Sequence, residues 1–135
     1  MLKARIEKTV LGLIGDGYTH FITGMALGAD TYFAESVLAI KVKHDIKLEA
    51  AVPYARQSGH FSREEKARYN NIMQNADKVT VLCEGYTPYC FDKRNKYMVD
   101  SSDIVLVVNY AASGGTANTI RYAGASGKRI IDLSN

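Results

Sequence analysis

The chain is poor in the residues that mark several protein classes. Two prolines in 135 residues leave no room for a stiff linker or a proline-rich disordered tail, so order is expected throughout. The two cysteines, Cys83 and Cys90, read as free thiols of a reducing compartment. Three histidines at scattered positions form no metal-ligand spacing, so neither a metal nor another cofactor is expected. No apolar run approaches the roughly 18 residues that cross a bilayer, and Glu7 stands where a secretory leader would need an apolar core. A cytoplasmic protein with no membrane partner is the resulting expectation. Also missing are a Walker lysine motif, a Gly-x-Gly-x-x-Gly turn, a His-Asp-Ser order and a pair of loop carboxylates spaced for acid–base work. Catalysis is therefore poorly supported, and no catalytic residue is assigned.

What is present describes an ordinary globular chain. With 47% hydrophobic and 23% charged residues, residues 1–135 are read as one domain able to bury roughly two thirds of its unfolded surface. A net charge of +3 is too mild to announce a nucleic-acid partner and is compatible with a small anionic ligand. Leu2, Ile6, Val10, Leu13 and Ile14 recur at helical spacing and predict an opening helix that ends at Gly15 or Gly17. Strands are predicted at 20–23, 48–52, 78–82, 104–109 and 129–133, and helices at about 29–43, 63–75, 91–101 and 116–126. Ser62 with Glu65 reads as a capping box. This alternation predicts an α/β, Rossmann-like three-layer sandwich with a mainly parallel sheet of about five strands. The run Ile104-Val105-Leu106-Val107-Val108 is apolar at every position and is the expected central strand.

In an open α/β sheet, ligands bind beyond the carboxyl ends of the strands, which directs attention to the strand-to-helix loops. The first runs from Thr23 through Gly24, Met25, Ala26, Leu27, Gly28 and Ala29 to Asp30; its glycines allow close backbone approach, and Asp30 is placed to cap a helix or touch a ribose. The second, Ala111 to Thr116, carries Ser113, Gly114, Gly115 and Thr116, small residues that leave amides open to a phosphate at a helix start. Arg94 and Asn95 stand near the start of another helix, where Arg94 could fork onto an anion. Tyr54, Tyr86, Tyr89 and Tyr110 follow strand ends, where rings could stack on a base.

Three ordered stretches carry a resemblance. Tyr18 to Asp30, Lys93 to Asp100, and Gly114-Gly115-Thr116 with Arg121-Tyr122-Ala123 look like the YpsA-like branch of the SLOG superfamily. The resemblance implies a Rossmann-like fold that binds a nucleotide or a nucleotide-derived signal. Two related families supply rival expectations. The LOG phosphoribohydrolases use a Pro-Gly-Gly-x-Gly-Thr-x-x-Glu motif whose Gly-Thr falls on Gly115 and Thr116, but Thr119 stands at the glutamate and Ala111 at the proline. The DprA family shares an Arg-Asn pair and a Ser-Gly loop similar to Arg94, Asn95, Ser113 and Gly114, and binds single-stranded DNA; the modest charge here speaks against that partner.

Members of the YpsA-like branch usually begin with a strand and a Thr-Gly-x-Arg-like loop, whereas Met1 already opens the first helix. The expectation is therefore a non-catalytic module that senses or sequesters a nucleotide-derived small molecule, in the extreme a viral sponge of immune signals. Its sheet is expected to have an edge or gap that self-association hides, as a homodimer or higher homo-oligomer.

Overall fold

The computed structural model describes residues 1–108 and 114–134. In chain order the elements are α1 (Leu2–Gly15), β1 (His20–Thr23), α2 (Ala29–Lys41), β2 (Lys47–Tyr54), a 3-10 turn (Gln57–His60), α3 (Arg63–Asn75), β3 (Lys78–Cys83), α4 (Cys90–Asp100), β4 (Ile104–Val107), α5 (Gly114–Ala125) and β5 (Arg129–Asp132). Helix α1 buries Ile6, Val10 and Leu13 and stops where Gly17 and Tyr18 donate to the carbonyls of Ile14 and Leu13, the double bond that closes a helix end. The predicted capping box opens α3: the Ser62 hydroxyl accepts from the Glu65 amide, and the Glu65 carboxylate accepts from the Ser62 amide. The 3-10 turn had no counterpart in the sequence reading.

The strands are parallel wherever they pair, and the fold is α/β and Rossmann-like. Helix α1 packs on α2 and α2 on α3, whereas α4 packs on α5, which gives two helical layers around the strands. The core joins Ile6, Val10 and Leu13 to Phe21, Val37, Leu48, Val52 and Ile72. Each such side chain contributes about 1.5–3 kcal/mol by leaving water.

Two expectations are corrected. Among the described residues the five strands fall in two sheets, β1-β2-β3 and β4-β5, where one was expected. The central strand is β2, which pairs on both edges and is buried from Leu48 to Pro53. By contrast β4 pairs on one edge among the described residues, and Ile104, Val105 and Leu106 are only partly buried. The sequence pattern misleads here because Glu49 interrupts the apolar run of β2, and its carboxylate is satisfied by tertiary hydrogen bonds that no local pattern reveals.

Among the described residues, no helix is long and apolar enough to cross a membrane.

Candidate functional site

The loop after β1 is built around two side chains, Thr23 and Asp30. The Thr23 hydroxyl accepts from the Met25 amide at 3.3 Å and donates to the Asp30 carbonyl at 3.2 Å. The Asp30 carboxylate accepts from the Ala26 amide at 3.1 Å, and Thr31 donates to the Ala26 carbonyl at 3.2 Å. Met25 takes a left-handed φ of 63° with its side chain buried in the core, a conformation that costs a non-glycine residue energy and persists where its surroundings over-determine it. Gly28, at φ 86°, turns the chain into α2. Thus the amides of Met25 and Ala26, expected to be open to a ligand, are spent inside the loop.

Arg94 joins this loop to α4. It is 7% exposed, donates through Nη1 to the Gly24 carbonyl at 2.6 Å and through Nε to Asn95 Oδ1 at 2.9 Å, and its guanidinium carbon lies 5.6 Å from the centre of the Phe91 ring. The expected open fork toward an anion is therefore a clamp between helix and loop. Burial pushes the guanidinium below its usual pKa, and the neighbouring Asp30 charge opposes that. Desolvation raises the Asp30 carboxyl above its usual value, against the pull of Arg94 and the Ala26 amide.

Gly24 is required by this clamp. A Cβ there would lie 2.9 Å from Asp30 Oδ2 and 3.1 Å from Arg94 Cδ. The glycine serves side-chain packing, where the sequence reading assigned it to ligand approach.

A cavity of about 800 Å³ lies between β1 and β4. At the carboxyl ends of these strands it is bounded by Thr23, Ala26, Asp30, Arg94, Asn95, Gly115 and Thr116. Asn95 and the start of α5 meet there, since a Cβ on Gly115 would stand 3.8 Å from Asn95 Nδ2. Thr119 donates to the Gly115 carbonyl at 2.9 Å, so the position that carries a glutamate in the LOG motif here holds a hydroxyl turned onto its own helix.

Of the other expected ligand residues, Gly24, Met25 and Gly28 do not line this cavity, and Gly114 opens α5. Tyr54 and Tyr86 also lie off it: they stack edge to face at 5.5 Å and both pack on Phe91. Tyr110 and Ser113 fall outside the described residues. Sequence reasoning missed Thr23 as the residue that shapes the loop. The signal was a hydroxyl and a carboxylate flanking a glycine-rich turn, both able to hold its amides.

The raised pKa of Asp30 has a thermodynamic sign. A carboxyl whose folded pKa exceeds its unfolded value of 3.8 binds its proton more tightly in the fold, so its contribution to stability grows as pH falls through that window. Comparing urea unfolding of wild type and Asp30→Asn from neutral pH downward should show wild type gaining on the variant. A flat difference would mean that burial leaves the Asp30 carboxyl unshifted, and one that moves the other way would mean that Arg94 and the Ala26 amide outweigh its desolvation.

A family model described as the YspA SLOG family matches residues 1–126. The chain is similar to the uncharacterized SPbeta prophage-derived protein YoqJ of Bacillus subtilis (strain 168), with 32% identity over 117 residues, 77% of this chain and 68% of that protein. It is 30% identical over 112 residues to UPF0398 protein BH1768 of Halalkalibacterium halodurans, covering 79% of this chain and 58% of that protein. UPF0398 protein BCB4264_A1614 of Bacillus cereus (strain B4264) aligns with 99% of the chain at 24% identity, over 73% of its own length. This chain thus spans little more than half of some relatives and about two thirds or more of others.

Proposed function

The chain belongs to the YspA SLOG family, and from that membership we propose that it binds a nucleotide-derived small molecule, without catalysis, in the cleft between β1 and β4. The observation that carries this reading is the meeting of Asn95 on α4 with Gly115 and Thr116 at the start of α5, on the rim of a cavity of about 800 Å³. That volume is within the usual range for small-ligand sites. The first-turn amides of α5 carry the positive end of the helix dipole, where a phosphate is stabilised. Gly115 is exposed and leaves those amides unshielded. Arg94 contributes positive charge from behind the loop, with its hydrogen bonds committed to Gly24 and Asn95. The prophage origin in the name of YoqJ supports sequestration over sensing.

The test is calorimetry with a panel of nucleoside monophosphates, nucleoside diphosphates and cyclic dinucleotides, on wild type and Gly115→Val. Valine should fit, because the nearest atom to the added Cβ is at 3.8 Å, yet its branches should shield the amides. The expected result is binding by wild type and at least a roughly tenfold loss in the variant, with an unchanged thermal midpoint. Equal affinities would remove this loop from the site. Release of free base from a nucleoside monophosphate would replace binding by hydrolysis.

A further inference from the structure

The outer edge of β3 is apolar and has no neighbouring strand among the described residues. On β2 the Lys47 amide donates to the Thr19 carbonyl and the Leu48 carbonyl accepts from the Asp77 amide, both at 2.8 Å. Odd-numbered residues of β2 thus address β1, and even-numbered ones address β3. Ala50 stands level with Val79, Val52 with Val81 and Tyr54 with Cys83. In a parallel ladder a residue bonds the two neighbours of the one it stands level with, which assigns the backbone groups of Lys78, Thr80 and Leu82 to β2. Those of Val79, Val81 and Cys83 point outward.

Proteins normally blunt such an edge with proline, a bulge or charge. Here the register with β2 runs without a bulge, and residues 79–83 hold neither proline nor charge. Val79 and Val81 are 41% and 47% exposed. Lys93 reaches the strand from α4 and donates to the Leu82 carbonyl at 3.0 Å, but that carbonyl belongs to the inward row. The outward row stays open.

We propose that β3 pairs antiparallel with β3 of a second copy about a two-fold axis at Val81, joining two three-stranded sheets into one continuous sheet. The sequence of the strand selects both the occupant and the register. With Val81 opposite Val81, Val79 meets Cys83 and Thr80 meets Leu82, so the exposed valines are covered by apolar partners. Lys78, and Glu84 just past the strand, then stand opposite each other at both ends of the pair. Neither makes an ion pair within the chain among the described residues. The adjacent registers that keep the outward rows bonded set Lys78 against Leu82 or Tyr86, and both charge pairs are lost. The contact is isologous and therefore closes at two copies. It is also small, at the weak end of specific interfaces, so a dissociation constant on the order of 10–100 μM is expected.

Light scattering from about 10 μM to about 1 mM should show the mean mass climbing from one chain toward two. Lys78→Glu and Glu84→Lys should each hold it near one chain, because like charges then face each other at both ends. An equimolar mixture of the two variants should dimerise again, since each chain meets the opposite charge on the other. The Lys78 charge also acts on buried Glu49, and recovery in the mixture separates pairing from any change in the fold. Amide exchange supplies the second readout. The amides of Val79, Val81 and Cys83 should exchange rapidly in dilute protein and slow by at least about fivefold at the concentrated end. Those of Thr80 and Leu82 should be protected throughout.

A mass of one chain at every concentration would overturn the proposal. So would a dimer that both variants retain, a mixture that stays monomeric, or outward amides already slow in dilute protein. The cleft between β1 and β4 lies on the other side of β2 and is read by the nucleotide titration, so either reading can fail alone.

Discussion

Glu49→Ala is expected to lower the unfolding free energy by about 2–4 kcal/mol, through the cavity it opens and the hydroxyls it strands. Glu49 is 2% exposed and is the third residue of β2. Its carboxylate accepts from Thr80 on β3 at 2.7 Å, from Tyr97 on α4, and sits 2.8 Å from His20 Nε2 on β1. One side chain thus links three strands and a helix. Burial pushes its pKa up, but the hydrogen bonds from Tyr97, Thr80 and His20, with the nearby Lys78 charge, outweigh that and hold it below its usual 4.5. A carboxylate whose folded pKa is depressed stabilises the fold above its unfolded pKa and loses that contribution as pH falls through the folded value. The gap between wild type and Glu49→Gln should accordingly close on acidification below 4.5, while Glu49→Ala stays the less stable variant at every pH. Urea unfolding at several pH values checks both points. An alanine variant within about 0.5 kcal/mol of wild type would mean that Thr80 and Tyr97 find other acceptors.

Gly24→Ala should cost about 1–3 kcal/mol by overpacking. The added methyl would stand 2.9 Å from Asp30 Oδ2 and 3.1 Å from Arg94 Cδ, and neither side chain is free to swing aside. The carboxylate holds the Ala26 amide, and the guanidinium holds the Gly24 carbonyl and Asn95. Relief must come from the loop or from α4, so the effect should couple to Asp30. In a double-mutant cycle, Asp30→Ala should make the alanine at position 24 less damaging, because the closer of the two clashes is gone. Additive effects would show that Arg94 alone sets the limit.

The elements themselves were readable to within a few residues at each end, because periodicity, glycine stops and the capping box at Ser62 and Glu65 are local signals. The family resemblance was readable too, on three short ordered stretches. Pairing was not. Which edges of β1 and β4 meet a neighbour depends on contacts far apart in the chain, and the apolar run at Ile104 to Val108 suits an interior strand whether or not a neighbour is present. Arg94 was read as open to an anion since a basic residue near a helix start usually is. Its partner, the Gly24 carbonyl, lies 70 residues away in sequence. Tyr54 and Tyr86 were grouped with the glycine loops because both follow strands. Their rings instead meet Phe91, which turns them onto one another and off the cleft.

The bond from Arg94 Nε to Asn95 Oδ1 also decides the polarity of the cleft mouth. An amide side chain can offer a carbonyl or an NH₂ group, and here the arginine occupies the carbonyl. What remains facing Gly115 is Nδ2, a donor. In the binding proposed above, a guest would be met at this corner by donors from both helices, the Asn95 amide and the backbone of α5, which would favour the lone pairs of an oxygen or a ring nitrogen over a guest's own N–H groups.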